Sequence, residues 1–306
     1  MISPFAVTYR EVVHLLARSL RHTLSLNVLR WHSSPMGFFR KTAALVVISL
    51  KETMRWRIVM MLSLLTGPMY MIVSYVIWAA IYSVNTQGII GGYTFSDIVT
   101  YYVMGTLTFY LIYDAVDDDL EEDIMEGKLT MYLLKPYHYL WYHMVYKLSH
   151  RSIAFLIEFI PVILIAGEIF GFKQFQNIHI LNYAAAVVIA FFTSFFLHAL
   201  IGMLAFWFYK INGIKWLYRI LVRLLQGSLM PLSIMPLLVQ KVLFFLPFQF
   251  ILFVPLQALK GEYSLGGFVL SIPQLLLYGL CQTVALGFIT FAVWKIAIRK
   301  YTGAGQ

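Results

Sequence analysis

Residues 117–136 read DDDLEEDIMEGKLTMYLLKP and interrupt an otherwise apolar chain. Seven of the 14 acidic residues fall between Asp117 and Glu126, although 60% of the residues are hydrophobic and the formal net charge is +9. A dense run of carboxylates does not fit an apolar interior, because an unpaired charge loses its hydration there. The stretch therefore marks a polar boundary, from which the apolar segments on either side are counted.

The composition predicts a membrane protein. The mean hydropathy is +0.77 and 12% of the residues are charged, whereas roughly a quarter are charged in soluble globular proteins. This disfavours a soluble enzyme, and it also disfavours nucleic-acid binding, because membrane topology alone accounts for the basic residues. The single cysteine, Cys281, cannot close a disulfide within the chain, and it is interpreted as a small apolar packing residue.

Six segments are long and apolar enough to cross a bilayer as helices, for which about 20 residues are needed. With the N-terminus in the cytoplasm, the inner segments hold 20 of the 23 Lys and Arg residues, and the outer segments hold three. This bias predicts that both termini are cytoplasmic and that residues 117–137 form a cytoplasmic loop between the second and third spans. The six predicted spans are residues 58–83, 97–115, 145–170, 180–208, 214–235 and 266–295.

Residues 1–56 are predicted to lie on the membrane as a cytoplasmic and interfacial segment. On a helical wheel, most apolar residues of 39–54 share one arc and the basic residues lie opposite, and residues 10–24 repeat this pattern. An amphipathic helix with a basic face suits anionic lipid headgroups. The sequence therefore predicts two amphipathic interface helices before the first span.

The region after the fifth predicted span is apolar but rich in proline. Residues 227–261 contain four prolines, so one continuous helix cannot pass through them. Short re-entrant helices over residues 231–261, dipping into the outer leaflet, fit both facts if the protein itself buries their ends. A kinked extension of the fifth span is the alternative.

The acidic stretch runs into a block with a defined spacing. Residues 126–136 have the form E-G-x-L-x-x-x-L-x-x-P. Together with the six-span layout, this block resembles the permease subunits of ABC-2-type transporters, in particular the subset in which two different permease chains share a separate ATPase. The resemblance covers residues 37–300. It implies an all-α integral membrane protein with a six-span domain at residues 57–300 and a cytoplasmic tail at 301–306.

The resemblance also implies the partners of the chain. It predicts two copies of an ABC ATPase, which would hold the ATP and Mg, and a second permease chain, homologous or identical. Membrane lipid is the remaining partner, and no nucleic acid or cofactor is expected on this chain. The predicted location is a bacterial plasma membrane, which the chain would cross several times.

Residues 117–137 are predicted to receive movement from the ATPase. Carboxylates in the first turns of a helix are favoured by its dipole, and they offer charge to a basic groove. Gly127 allows a conformation that other residues resist, Pro136 stops the segment after Gly127, and Leu129 and Leu133 share one face for packing on the partner or under the third span. A solvated cap on the loop is the alternative. The other predicted coupling residues are Asp119, Glu121, Glu122, Asp123 and Glu126.

The motifs of common catalytic and metal sites are absent from the sequence. It contains no G-x-x-x-x-G-K-[ST], no H-E-x-x-H and no G-x-S-x-G, and its histidines have no Cys or His partners at metal-ligand spacing. The sequence therefore predicts no catalytic and no metal-binding residue. It indicates a non-enzymatic subunit of an ATP-hydrolysing complex.

Glu158, His198 and Arg223 are the candidates for polar contacts inside the predicted spans. Glu158 lies about 10 Å into the third span at 1.5 Å per residue, and Arg223 lies at a similar depth in the fifth. Such groups are costly in lipid and tend to pair or to line a water-filled path. The hypothesis is a Glu158–Arg223 pair with His198 of the fourth span near it in depth. Its role is either structural pairing or a polar contact on the transport route.

The predicted function is export of a hydrophobic or amphipathic compound. Aromatic residues and Met are abundant in residues 69–78 and 244–253, and they suit an apolar cargo because they supply large, adaptable contact surfaces. They suit lipid and neighbouring helices equally well. Two other functions stay open, the membrane component of an ABC-type importer and a self-sufficient ion-coupled carrier or channel.

Overall fold

The computed structural model describes residues 35–54, 57–86, 88–135, 137–170 and 179–301. Three parts of the sequence predictions lie outside the described residues: the helix at 10–24, Pro136, and residues 302–306 of the tail. The chain divides into two compact units, residues 1–49 and 50–306.

Helix α1 spans Pro35–Thr53 and covers most of the second predicted interface helix. Its last turn contains the basic residue Lys51, a charge that the helix dipole favours at a C-terminus. Val47 and Met54, from the predicted apolar arc, are exposed side chains. The location of this helix at the membrane surface stays a prediction.

The rest of the described chain is a helical bundle in which five stretches are long and apolar enough to cross a membrane. In chain order the helices are α2 (Arg57–Val84), α3 (Phe95–Ile112), α4 (Val116–Met125), α5 (Leu129–Leu133), α6 (Tyr139–Ala154), α7 (Ile160–Phe170), α8 (Ile180–Gly202), α9 (Ala205–Phe208), α10 (Asn212–Leu225), α11 (Leu237–Phe245), α12 (Phe253–Lys260) and α13 (Ile272–Ala297). The five long apolar stretches are α2, α3 with α4, α6 with α7, α8 with α9, and α13, and they agree with predicted spans one to four and six. A π-helical turn at Phe155–Phe159 joins α6 to α7.

The fifth predicted span, residues 214–235, is wrong as a single helix. Helix α10 ends at Leu225 and has 14 residues, so it is about 21 Å long at 1.5 Å per residue, short of the ~30 Å hydrocarbon core. Gly227 then has a φ of 90°, a left-handed conformation that commonly ends a helix. Pro231 follows and prevents the helix from resuming. Many apolar side chains of this stretch are exposed, among them Trp216, Leu217 and Leu229, so its apolar character does not mark a continuous helix.

Residues 231–261 form short helices, in agreement with the proline pattern. Two 3₁₀ turns, Leu232–Ile234 and Pro247–Phe250, alternate with α11 and α12. Pro247 opens the second turn because the first residues of a helix have no intrahelical partner for an N–H group. Helix α12 is buried from Phe253 to Leu259. The depth of these helices in a bilayer stays a prediction.

Two small β-hairpins define one end of the bundle, called here the hairpin end. Strands β1 (Ile89–Ile90) and β2 (Tyr93–Thr94) are antiparallel, and so are β3 (Ser264–Leu265) and β4 (Phe268–Val269). Both hairpins lie against the 3₁₀ turn that contains Ile234. Helix α4 lies at the opposite end, called the acidic end, where α3, α8 and α13 terminate.

Helix α8 lies at the centre of the second unit and packs against α4, α12 and α13. Its last residue, Gly202, lies directly against α4. A Cβ atom placed on Gly202 would lie 2.9 Å from the Cα of Asp117 and 3.3 Å from Leu120. Since the nearest of these atoms belongs to the backbone, only glycine allows α4 to pack at this distance.

The variant Gly202→Ala tests this close packing. We expect it to lower the free energy of unfolding by about 1–3 kcal/mol, because the backbone of α4 must shift to admit a methyl group. Gly213→Ala in α10 is the matched control: its added Cβ has no heavy atom of the described chain within 4 Å, and alanine favours a helix over glycine. Unfolding in SDS-containing mixed micelles, followed by tryptophan fluorescence, measures both. Equal effects at the two positions would contradict the packing.

Candidate functional site

Helix α4 carries most of the acidic run, and three of its carboxylates face the interior of the protein. Asp117, Glu121 and Asp123 have exposed fractions of 0%, 4% and 6%. The sequence analysis predicted that carboxylates of this run contact the ATPase. Glu121 and Asp123 are buried and paired with Lys215 and Tyr139 of the same chain, and their part in ATPase coupling stays a prediction.

The main partners of the acidic run come from helix α10. Lys215 Nζ donates to Asp118 Oδ1 at 2.6 Å and also forms an ion pair with Glu121. One helical turn later, Arg219 Nη2 donates to Asp117 Oδ2 at 2.9 Å and to Asp118 Oδ2 at 2.6 Å. Buried charges are tolerated when they are paired and hydrogen-bonded in this way. The acidic face of α4 is therefore joined to the basic face of α10.

Helices α6 and α8 complete the pairing of α4. Asp117 Oδ1 lies 3.0 Å from His198 Nδ1 of α8, and Glu121 Oε1 accepts the backbone N–H of Ile211 at 2.7 Å. These contacts hold α4 against three other elements at once. The bonds from α6 are Tyr139 Oη to Asp123 Oδ2 at 2.7 Å and Lys147 Nζ to Asp119 Oδ2 at 2.6 Å.

The remaining carboxylates of the run face outward. Glu122 and Glu126 are exposed, and both form ion pairs with Lys128. Their hydrogen bonds raise the pKa of the Lys128 ammonium above its usual range. Exposed pairs of this kind contribute little to stability. This part of the predicted coupling segment is therefore free to face water or another protein.

The segment after α4 turns sharply and separates the two leucines of the block. Gly127 has a φ of 69° and ends α4, as its sequence position predicts. Leu129 is fully buried, in a cluster with Leu120 and Tyr139, whereas Leu133 is exposed. Leu129 and Leu133 are the first and last residues of one helix, and the described chain covers only Leu129. Their part in packing on a partner stays a prediction. Helix α5 has only five residues, so Leu133 lies beyond the elements that cover Leu129.

Three large apolar side chains at the end of this segment are exposed, and they are called here the exposed apolar face. Met131, Leu133 and Leu134 have exposed fractions of 60%, 46% and 83%. Beside them Tyr132 is half-buried, and burial together with the nearby Asp123 carboxylate raises the pKa of its phenol. A cluster of exposed apolar residues next to a charged rim is typical of an interaction surface.

The structure separates the three ionisable residues predicted inside the spans. His198 lies at the acidic end beside Asp117, away from the other two. Glu158 is buried in the π-helical turn, and Arg223 lies near the end of α10. Among the described residues these two form no direct ion pair, so the hypothesis of a Glu158–Arg223 pair with His198 close by is corrected. Both side chains instead line one cavity.

This cavity has a volume of about 670 Å³. Its walls come from α2, α3, α6, the π-helical turn and the chain that follows α10. The charged lining residues are Arg151, Glu158 and Arg223, and His150 lies beside them. Small-molecule sites generally measure ~300–1,000 Å³ and combine apolar walls with a few polar groups. The tyrosines that line it are Tyr70, Tyr101, Tyr102, Tyr110 and Tyr113.

Tyrosine hydroxyl groups hold the turn after α10 beside the cavity. Tyr101 donates to the carbonyl of Gly227 at 2.7 Å, and Tyr102 donates to that of Leu229 at 2.6 Å. A third bond runs from Tyr70 to the carbonyl of Ser228 at 3.0 Å. These bonds satisfy carbonyl groups of a turn that lies outside regular secondary structure, and they fix the wall of the cavity nearest the hairpin end.

Comparison with protein families gives one match. A family model described as "ABC-2 family transporter protein" matches residues 68–305, which include α4, α5 and most of the cavity lining. The chain belongs to the ABC-2 transporter family. Comparisons with curated proteins and with solved structures found no match. The resemblance to ABC-2-type permeases is thus confirmed, while the subset with two different permease chains stays a prediction.

Membership in the ABC-2 family gives the chain its general character. It is an integral, multi-pass membrane protein and a permease by family. Proteins of this family are generally non-catalytic membrane components that work with an ABC ATPase. In the described part of this ABC-2 permease, no group of three or more His, Cys, Asp and Glu residues is arranged to hold a metal ion.

Sequence reasoning missed two parts of the ABC-2 site. Lys215, Arg219 and Arg223 recur every fourth residue, which places them on one face of a helix, and this spacing could have suggested a basic strip facing the acidic run. The adjacent tyrosines at 101 and 102 gave no comparable signal, because their role depends on the turn after α10. The cavity itself is formed by elements distant in sequence.

Proposed function

We propose that this chain is the permease subunit of an ATP-driven exporter of hydrophobic or amphipathic compounds, moved by a separate ABC ATPase that docks on its acidic end. The observation that carries the proposal is the exposed apolar face at Met131, Leu133 and Leu134. It lies beside helix α4, which is bonded to α6, α8 and α10. A surface that receives movement needs both exposure and a rigid connection, and this one has both.

The bonds of α4 supply the path by which movement would reach the cavity. Leu129 packs α5 onto the cluster that holds α4. Helix α4 is then tied to α6 by Lys147, to α8 by His198 and to α10 by Lys215. Because α6 and the end of α10 also line the cavity, displacement of α5 would change its shape. ATP-driven closure of the ATPase would thereby switch the pathway from inward-open to outward-open.

We propose six crossings, with both termini and the acidic end in the cytoplasm and the fifth crossing built in pieces. Helix α8 starts at the hairpin end, where His179 N donates to Leu259 O at 2.9 Å. Helix α13 ends at the acidic end, where Trp294 stacks on Tyr139. The chain between α8 and α13 must therefore return across the bundle once. Helix α10 covers the first part, and the short helices of residues 231–261, dipping into the outer leaflet, complete it.

The proposed assembly contains two ATPase subunits and a second permease chain, homologous or identical, in a bacterial plasma membrane. The ATP and Mg belong to the ATPase subunits, and this chain requires no cofactor. Much of helix α2 is available for a second permease or for lipid, because Met69, Val73 and Val76 are exposed apolar residues on it. A membrane-facing helix of this kind has no need of polar partners.

Reconstitution tests the proposal. We expect proteoliposomes that contain the chain and its ATPase to move a fluorescent amphiphile only when ATP is supplied on the side of the ATPase. Replacing the phosphate-loop lysine of the ATPase is the control and should remove the movement. Transport by the chain alone under an ion gradient would contradict the proposal in favour of a self-sufficient carrier. Copurification with a substrate-capturing protein, and movement in the opposite direction, would indicate an importer.

A further inference from the structure

The charges that line the cavity do not balance. Arg151, Arg223 and Glu158 line it, which leaves one positive charge in excess among the charged lining residues; the Asp114 carboxylate, which also attracts Arg151, is not part of the lining. Arg151 Nη1 donates to the backbone carbonyl of Tyr110 at 3.2 Å, while its buried Nε atom has no hydrogen-bond partner in the described part of the chain. Neighbouring His150 likewise has a buried Nδ1 atom that no described residue contacts by a hydrogen bond. The internal contacts of Arg151 and His150 beside the cavity are therefore incomplete among the described residues.

Arg223 differs from the other basic residues of α10. Lys215 and Arg219, on the same face, are engaged by carboxylates of α4. Arg223 is two turns further along than Lys215, beyond the reach of the acidic run. Among the described residues it forms no ion pair, and its side chain is exposed to the cavity. An ionisable side chain at such a depth in a membrane protein generally serves a functional site.

We propose that the cavity binds an amphipathic compound with a single negative charge, held at Arg223 and Arg151. The inference rests on the proposed transport function and adds the chemical class of the cargo. The guanidinium groups would bind a carboxylate or a comparable anionic group, for which their geometry is suited. The rings of Tyr70, Tyr110 and Phe109 would pack on the apolar body of the ligand.

The size and composition of the cavity fit this class. A volume of about 670 Å³ accommodates a drug-sized body beside the charged group. A neutral hydrophobic ligand would leave two arginines desolvated against one carboxylate, which is costly. A cation would add to the existing excess of positive charge. A monoanion balances this excess, so the charge of the lining favours a monoanionic ligand over a neutral or a cationic one.

Binding to the purified full-length chain in nanodiscs, without any ATPase, tests the inference. The probes are pyrenebutanoate and its uncharged methyl ester, followed by energy transfer from tryptophan. Loss of a charge-assisted hydrogen bond typically weakens binding about tenfold or more. We therefore expect Arg223→Gln to weaken binding of the carboxylate by at least about tenfold and to leave binding of the ester unchanged. Arg223→Lys, which keeps the positive charge, should bind the carboxylate almost as well as the unmodified chain. Arg299→Gln, at an exposed arginine outside the cavity, should bind both probes as the unmodified chain does.

Two results would overturn the inference: equal affinity of the unmodified chain for carboxylate and ester, or unchanged carboxylate affinity in Arg223→Gln. Ester binding reports whether the cavity of each variant is intact. Nanodiscs with and without phosphatidylglycerol separate two sources of the anion. If this lipid competes with the probe, the natural ligand is a lipid headgroup; if it does not compete, the ligand is a free amphiphile. Since no ATPase is present, failure here leaves the ATP-dependence measured in proteoliposomes untouched.

Discussion

Replacing Lys215 by methionine is expected to lower the free energy of unfolding by about 3 kcal/mol, the lower end of the cost of breaking a buried ion pair. The Lys215 side chain is buried and pairs with Glu121, which is equally buried, and with Asp118. Methionine has a similar volume but no charge, so the Glu121 carboxylate would keep only the N–H of Ile211 as a partner among the described residues. The cost comes from the carboxylate that is left behind.

Lys128→Met is the matched control for this variant. Lys128 belongs to the same acidic stretch and pairs with Glu122 and Glu126, but all three side chains are exposed. Exposed ion pairs contribute little, because water solvates the separated charges. SDS-titrated unfolding in mixed micelles, followed by tryptophan fluorescence, compares the two variants. If both lose the same amount, the buried network does not hold α4 in place.

A double variant separates loss of the pair from loss of packing. In Lys215→Met with Glu121→Gln, the neutral amide can still accept the hydrogen bond of Ile211 and no buried charge is left unpaired at this position. We expect this protein to recover much of the stability lost in Lys215→Met. A double variant less stable than either single variant would instead assign the effect to packing.

The spans were predictable because their signal is local. An apolar stretch of about 20 residues has few alternatives to a membrane helix, and five such helices stand where the sequence placed them. The stretch at 214–235 misled because an apolar composition does not show that a helix is continuous. Gly227 and Pro231 carried the contrary signal. The prolines of residues 231–261 were informative for the same reason, since their effect on the backbone is local.

The arrangement of the acidic run was not predictable from its composition. A run of carboxylates shows that charge lies at one end of the bundle, but not which charges face inward. That depends on α10 lying alongside α4, a contact between residues about a hundred positions apart. Depth along the spans likewise misled for His198, because the structure pairs it with Asp117 of α4, a contact that its position along α8 does not reveal. The block at 126–136 gave the family, and the structure divided its residues between internal packing and an exposed face.

The variant Met131→Glu with Leu134→Glu is expected to abolish ATPase binding and reduce ATP-dependent transport to background. Both side chains belong to the exposed apolar face, so the change should leave the fold of the chain intact. Burying an unpaired carboxylate in an apolar interface costs the free energy of its desolvation, and this cost weakens binding. Hot-spot residues of protein interfaces are typically worth ~2–4 kcal/mol, or about 30- to 1,000-fold in affinity. Copurification of the ATPase and transport in proteoliposomes measure the effect.

Val269→Glu is the control for this variant. Val269 is 76% exposed on strand β4 at the hairpin end. The variant therefore also replaces an exposed apolar side chain by glutamate, but far from the proposed docking surface. We expect it to retain both ATPase binding and transport. ATPase binding retained in Met131→Glu with Leu134→Glu would show that the exposed apolar face contacts lipid and that the motor docks elsewhere. Loss of binding in Val269→Glu alone would place the docking surface at the hairpin end and reverse the proposed orientation, because the ATPase acts from the cytoplasm.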